Sequence, residues 1–187
     1  EIIFDRTCKI LNSPIIKKKI DNKFLVIGTE VPLSGSDDDK KVIITTIKKI
    51  KIEALKFQNL LVNLKLKKKI FGLVIEPGMK YMNSSIKKPI FTKFLNKKKF
   101  SKANDFVFEA HSTDYQPKKI LLNLVDNNFK FLKVGPELTY NYSRSLFFMN
   151  KIENKFFKNP TSDIKKNILL SMKEKNKYWK EYYDKNN

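Results

Sequence analysis

Residues 70–81 read IFGLVIEPGMKY. Six apolar or small residues follow one another without polar alternation before Glu76, Pro77 and Gly78 turn the chain. A strand with one face in water alternates in polarity with a period of two. A run that does not alternate has both faces covered, as in a parallel sheet flanked by helices. Three further segments share the pattern of an apolar run that turns polar: residues 24–35 (FLVIGTEVPLSG), 105–116 (DFVFEAHSTDYQ) and 131–142 (FLKVGPELTYNY). All five glycines (Gly28, Gly35, Gly72, Gly78, Gly135) fall in three of these segments, and the fourth holds the single histidine, His111. Each reads as a buried strand ending in a loop.

Helical patterns separate the strands. Over 41–64, Ile43, Ile47, Ile50, Ala54, Phe57 and Leu61 recur at three- and four-residue spacings. A shorter helix is expected over 89–100. A third is expected over 117–129, with Ile120, Leu121, Leu124 and Val125 on one side behind a proline suited to a first turn. A fourth, over 138–157, has Leu146, Phe147, Met149, Ile152 and Phe156 as its expected buried stripe. Strand and helix thus alternate four times, which implies parallel strands joined by right-handed crossovers. Residues 1–11 read as a helix. In the tail, 161–163 offer an N-cap ahead of Ile164, Ile168, Leu169 and Met172, and 178–183 (YWKEYY) form an aromatic cluster expected to dock on the domain. The lysine runs 67–69 and 97–99 are expected as exposed loops, and Asp37-Asp38-Asp39 as solvated surface.

The chain has 187 residues, 41% hydrophobic and 31% charged, a globular balance large enough for one core. No apolar run approaches the ~20 residues of a membrane span, and the first residues lack the features of a signal peptide, so no membrane association is expected. A single cysteine, Cys8, cannot pair within the chain and fits the reducing cytoplasm. The absence of an initial methionine fits a part of a longer chain. The net charge is +20, yet 37 of the 39 basic residues are lysine, and Ile, Asn and Phe are abundant while alanine occurs three times. AT-rich codons produce that signature. Nucleic-acid readers lean on arginine for bidentate contacts, so no nucleic-acid partner is expected.

In parallel α/β architectures, binding groups gather at the carboxyl ends of strands. Those ends carry Thr29 and Glu30, then Glu76, then Glu109, His111, Ser112 and Asp114, then Gly135. Carboxylates converging with a histidine suit proton transfer or a mixed metal site in which His111 is the candidate ligand. One histidine rules out a multi-histidine zinc site. The Gly135-Pro136 turn into a helix could hold a phosphate on backbone amides. Lys133, read as lying inside the fourth strand, is the one lysine whose setting suggests a burial-lowered pKa and Schiff-base chemistry. Cys8 lies in an expected helix, away in sequence from the histidine.

VIGTEVP at 26–32, EPG at 76–78, FEAHSTDYQ at 108–116, LKVGPELTY at 132–140 and YWKEYY at 178–183 together resemble the accessory subunit of class II tagatose-bisphosphate aldolase, the GatZ/KbaZ family. The resemblance runs in order along essentially the whole chain and covers about the middle of the family's length. It implies an aldolase-type (β/α)8 TIM barrel of which this chain carries the last four βα units over 1–158, with a helical extension over 159–187. It further implies a non-catalytic subunit that supports the activity and stability of a zinc-dependent partner cleaving tagatose 1,6-bisphosphate in galactitol, N-acetylgalactosamine or tagatose catabolism. On that reading the zinc belongs to the catalytic class II aldolase partner and no cofactor to this chain. A sugar bisphosphate could meet Ser112, Asp114, Lys133 and Gly135.

Catalytic class II subunits look different at two places. Their last strand ends in Lys-Ile/Val-Asn, where the asparagine takes part in chemistry; the similar stretch here is Lys133-Val134-Gly135, without that side chain. Their zinc-binding histidine sits in a glycine-containing turn, whereas His111-Ser112 lacks the glycines. Some relatives have carried the name tagatose-6-phosphate kinase, but no Walker-type glycine-rich loop occurs here. The competing reading is a metal-assisted sugar or sugar-phosphate 4-epimerase acting through Glu30, Glu76, Glu109 and His111. Four strands of eight leave two open edges, so this segment alone is expected to be marginally stable.

Overall fold

The computed structural model describes residues 2–20, 23–28, 43–66, 71–81, 85–90, 94–158 and 162–180. Glu30, Asp37-Asp38-Asp39, the lysine run at 67–69 and the end of the tail cluster lie outside them. In chain order the elements are α1 (Ile2–Asn12), α2 (Pro14–Lys17), β1 (Leu25–Ile27), α3 (Ile47–Asn63), β2 (Phe71–Ile75), β3 (Lys80–Tyr81), β4 (Ile86–Lys87), α4 (Leu95–Ala103), β5 (Phe106–Ala110), α5 (Lys118–Asp126), β6 (Phe129–Leu132), α6 (Pro136–Phe156), α7 (Ile164–Glu174) and a 3-10 turn at Asn176–Tyr178. No helix among the described residues is long and apolar enough to cross a membrane.

β1, β2, β5 and β6 form one parallel sheet in that order, while β3 and β4 make a separate antiparallel pair. Strands adjacent in the sheet are therefore adjacent along the chain. A doubly wound sheet reverses its order at a switch point, whereas a (β/α)8 barrel does not. The observed order is that of four successive barrel units.

Alternating side chains divide the sheet into two faces. Phe71, Leu73, Ile75, Phe106, Phe108, Ala110 and Phe129 face the helices and are essentially buried with Ile50, Ala54 and Phe57 of α3 and Leu124 of α5. Burying each of these phenylalanines is worth about 2 kcal/mol over exposure, and their rings pack at centroid distances of 5.2 to 5.8 Å between strands and α4. The opposite face is lined by Val26, Gly72, Val74, Val107, Glu109 and Phe131. There the rings of Phe24, beside the first strand, and Phe131, on the last, meet at 4.9 Å. A flat sheet would hold those edges about three strand spacings, roughly 14 Å, apart. Curvature brings them together, and Gly72 leaves the room: a Cβ there would sit 3.2 Å from both Phe24 Cε1 and Val26 Cγ2.

Three expectations need correction. Lys97 is not in an exposed loop: it lies in α4, 3% exposed, with its Nζ 4.4 Å from the Phe94 ring centroid. A long aliphatic stem and a cation over an aromatic face make that burial tolerable. Lys133 lies just past β6 and is exposed, so it is not the buried strand residue on which its reading as a Schiff-base lysine rested. On α6 only Leu146 and Phe147 of the expected stripe are partly covered, while Met149, Ile152 and Phe156 face solvent. The helix turns a different side, centred on the buried Asn150, towards α7: Asn150 Nδ2 donates to the Ser162 carbonyl at 3.1 Å, and Ser162 N–H donates to Glu153 Oε1 at 3.1 Å.

Candidate functional site

Side chains two residues apart along a strand share a face. Glu109 of β5 and His111 just beyond it therefore meet: Nε2 of the imidazole lies 2.9 Å from Glu109 Oε1. Both side chains are largely enclosed, at 15% and 11% exposure for glutamate and histidine. The carboxylate fixes the ring and leaves Nδ1 as the atom able to exchange a proton or bind a ligand.

Glu76 stands one residue past β2 and is buried. The register pairs Ile75 with Ala110, so position 76 falls beside position 111 one step on. Thr45, ahead of α3, pins this strand end from the other side. Its Oγ1 accepts from Glu76 N–H at 2.7 Å, its own N–H donates to the Glu76 carbonyl at 2.9 Å, and Ile44 bridges Pro77. The structure thus brings Glu76, Glu109 and His111 to one mouth, while Glu30 lies outside the described residues. Among those residues no group of three or more His, Cys, Asp and Glu side chains is arranged to hold a metal ion. Glu109 and His111 alone offer two protein ligands where a catalytic zinc commonly takes three.

The rest of the mouth is a latch between two loops. Asp114 is 2% exposed, and its Oδ1 accepts from the N–H groups of Gly135 and Glu137, both at 2.9 Å. Gly135 is the N-cap of α6, so a carboxylate sits where the helix presents free donors and the positive end of its dipole. Glu137 reciprocates, its Oε2 accepting from Tyr115 N–H at 2.6 Å. Thr113 Oγ1 donates to the Lys133 carbonyl at 2.7 Å, and Lys133 N–H donates to the Ala110 carbonyl at 2.9 Å. To reach this arrangement the loop places Ser112 and Tyr115 in the left-handed region, at φ 56° and 59°. Of the candidates for phosphate contact, Asp114 and Gly135 are each other's partners, and the exposed Lys133 joins the latch through its backbone.

Three tyrosines form a wall beside the latch. Tyr81 and Tyr115 pack edge to face at 5.7 Å, and Tyr115 and Tyr140 at 6.0 Å. Burial, followed by the nearby carboxylates of Asp114 and Glu137 and then the other two phenols, raises the Tyr115 pKa above its usual 10. Sequence reasoning missed Thr45, Thr113, Glu137 and this wall. Glu137 alone carried a signal: an acid in the first turn of a helix behind a Gly-Pro pair.

The chain matches the family described as D-tagatose-1,6-bisphosphate aldolase subunit GatZ/KbaZ-like over residues 4–187. It is 28% identical to the D-tagatose-1,6-bisphosphate aldolase subunit GatZ of Klebsiella oxytoca, covering 95% of this chain and 44% of that one. It is 30% identical to the GatZ subunit of Klebsiella pneumoniae, over 84% of this chain and 39% of the relative. The crystal structure of a probable tagatose 6 phosphate kinase from Sinorhizobium meliloti superposes with a TM-score of 0.77 at 22% identity, over 96% of this chain and 44% of the other. The chain spans less than half the length of each of these relatives.

Proposed function

As the chain belongs to the GatZ/KbaZ-like family of D-tagatose-1,6-bisphosphate aldolase subunits, we propose that it works as the non-catalytic, accessory part of such an aldolase in the cytoplasm, beside a class II catalytic subunit that holds the zinc. The Asp114 latch is the observation that supports this reading. Barrel enzymes acting on phosphorylated sugars commonly take a phosphate at the loops after the last strands and a helix N-terminus there. In this chain the amides of Gly135 and Glu137 are committed to an internal carboxylate. That end of the mouth is built for rigidity, which suits a subunit that stabilises another.

The Glu109–His111 pair favours a second reading, a metal-assisted sugar or sugar-phosphate 4-epimerase, with Glu76 and Glu30 as the further carboxylates and Ser112 and Lys133 near the substrate. A coupled assay on tagatose 1,6-bisphosphate with zinc separates the two. It uses the full-length product of this gene, alone and mixed with a zinc-aldolase subunit of the same genome. The accessory reading expects stimulation only in the mixture. Turnover by the chain alone, or stoichiometric bound metal lost on His111→Ala, would overturn it in favour of the second.

A further inference from the structure

The first donors of α6 are all spent inside the chain. Gly135 and Glu137 N–H both donate to Asp114 Oδ1 at 2.9 Å, Pro136 between them has no N–H, and Leu138 N–H donates to the Gly135 carbonyl at 3.0 Å. These are the groups with which the start of a 21-residue helix would grip a phosphate oxygen. Asp114 is also held from both sides. Before it, Thr113 Oγ1 donates to the Lys133 carbonyl; after it, Tyr115 N–H donates to Glu137 Oε2. The carboxylate is 2% exposed and its bonds join two loops of this chain, so they hold whatever else packs around them.

A phosphate monoester at neutral pH carries a charge of about −1.5 to −2 and offers these amides nothing but acceptors. To enter here it would have to dislodge Asp114 from two donors and then lie against the carboxylates of both Asp114 and Glu137, in a place too buried for salt to screen them well. A hydroxyl carries no charge and can donate to a carboxylate. We propose that Asp114 is a specificity-determining residue: it fills the anion seat at the start of α6, so that a sugar in the mouth presents an unphosphorylated, hydroxyl-bearing end to these loops. The assignment rests on reading this chain as part of a sugar-handling aldolase or epimerase, and it leaves a phosphate seated elsewhere in the mouth untouched.

The test follows the Gly135 amide by NMR in the full-length product of this gene, labelled with nitrogen-15 at glycine. The resonance is assigned by its loss in Gly135→Ala, where an added Cβ meets nothing within 4 Å. Inorganic phosphate is titrated in, with chloride at equal ionic strength as the control. In the parent the resonance is expected to stay in place, and to stay in place with tagatose 1,6-bisphosphate as well. In Asp114→Ala, which empties the seat, phosphate is expected to move it and to bind about tenfold or more tightly than to the parent. Asp114→Asn, which keeps an acceptor without the charge, should fall between the two, and it carries the comparison if the alanine variant does not fold. A phosphate-dependent shift in the parent would overturn the proposal. So would a folded, uncharged variant whose Gly135 amide ignores phosphate. The accessory and epimerase readings are decided by the coupled assay, whose result none of these outcomes fixes.

Discussion

Asp114 does at residue scale what a phosphate does at many helix N-termini. Its carboxylate satisfies two donors at the start of α6 and opposes the helix dipole from a buried position. A capping side chain is typically worth about 1 kcal/mol, and a partly buried charge at a helix end up to about 2 kcal/mol. Asp114→Ala is therefore expected to cost about 2 kcal/mol in urea unfolding, and Asp114→Asn, which keeps an acceptor and loses the charge, about 1 kcal/mol. Equal stability of all three proteins would show that the latch contributes nothing. Tyr115 reports the same place by titration. Its folded pKa is raised, first by burial and then by Asp114 and Glu137. Below pH 10 folded and unfolded chains both keep the proton and stability is unaffected. As pH climbs past 10 the unfolded chain releases it first, so stability is lost as pH rises towards the folded value. Absorbance titration of the seven tyrosines should show a late phenol that is missing in Tyr115→Phe; loss of an early-titrating phenol instead would contradict the geometry.

At the scale of elements, legibility followed burial. β2 was readable because a parallel strand covered on both faces must be apolar throughout, and it is buried at every position; β5 was readable from its apolar run at 106–108, although its burial alternates. α3 was readable for a related reason: Ile50, Ala54, Phe57 and Leu61 recur on one side and are buried there. Where the structure leaves an apolar face open, periodicity misled. The α6 residues 149, 152 and 156 form a helical stripe as regular as that of α3, but pattern records amphipathicity and says nothing about which partner supplies the cover. The β3–β4 pair escaped notice because two-residue strands leave no period to detect. In the site, the gathering of Glu76, Glu109 and His111 followed from strand ends alone. The latch did not, since it joins residues 21 to 23 positions apart through backbone amides that no side-chain motif marks.

For the whole molecule, two features act against independent stability. Among the described residues, β1 and β6 are the edges of the four-stranded sheet and their outer ladder groups have no strand neighbour. Large apolar side chains also stand exposed along α6 and α7, from Leu138 to Met172. Opposing this is a helix-facing core of closely packed phenylalanines, enough for collapse. The balance between them predicts a chain that is compact but weakly cooperative when isolated: dye binding to exposed apolar surface in the absence of denaturant, and a broad, concentration-dependent melt. A sharp, reversible transition from a monomer without any addition would show that the exposed faces cost the fold little.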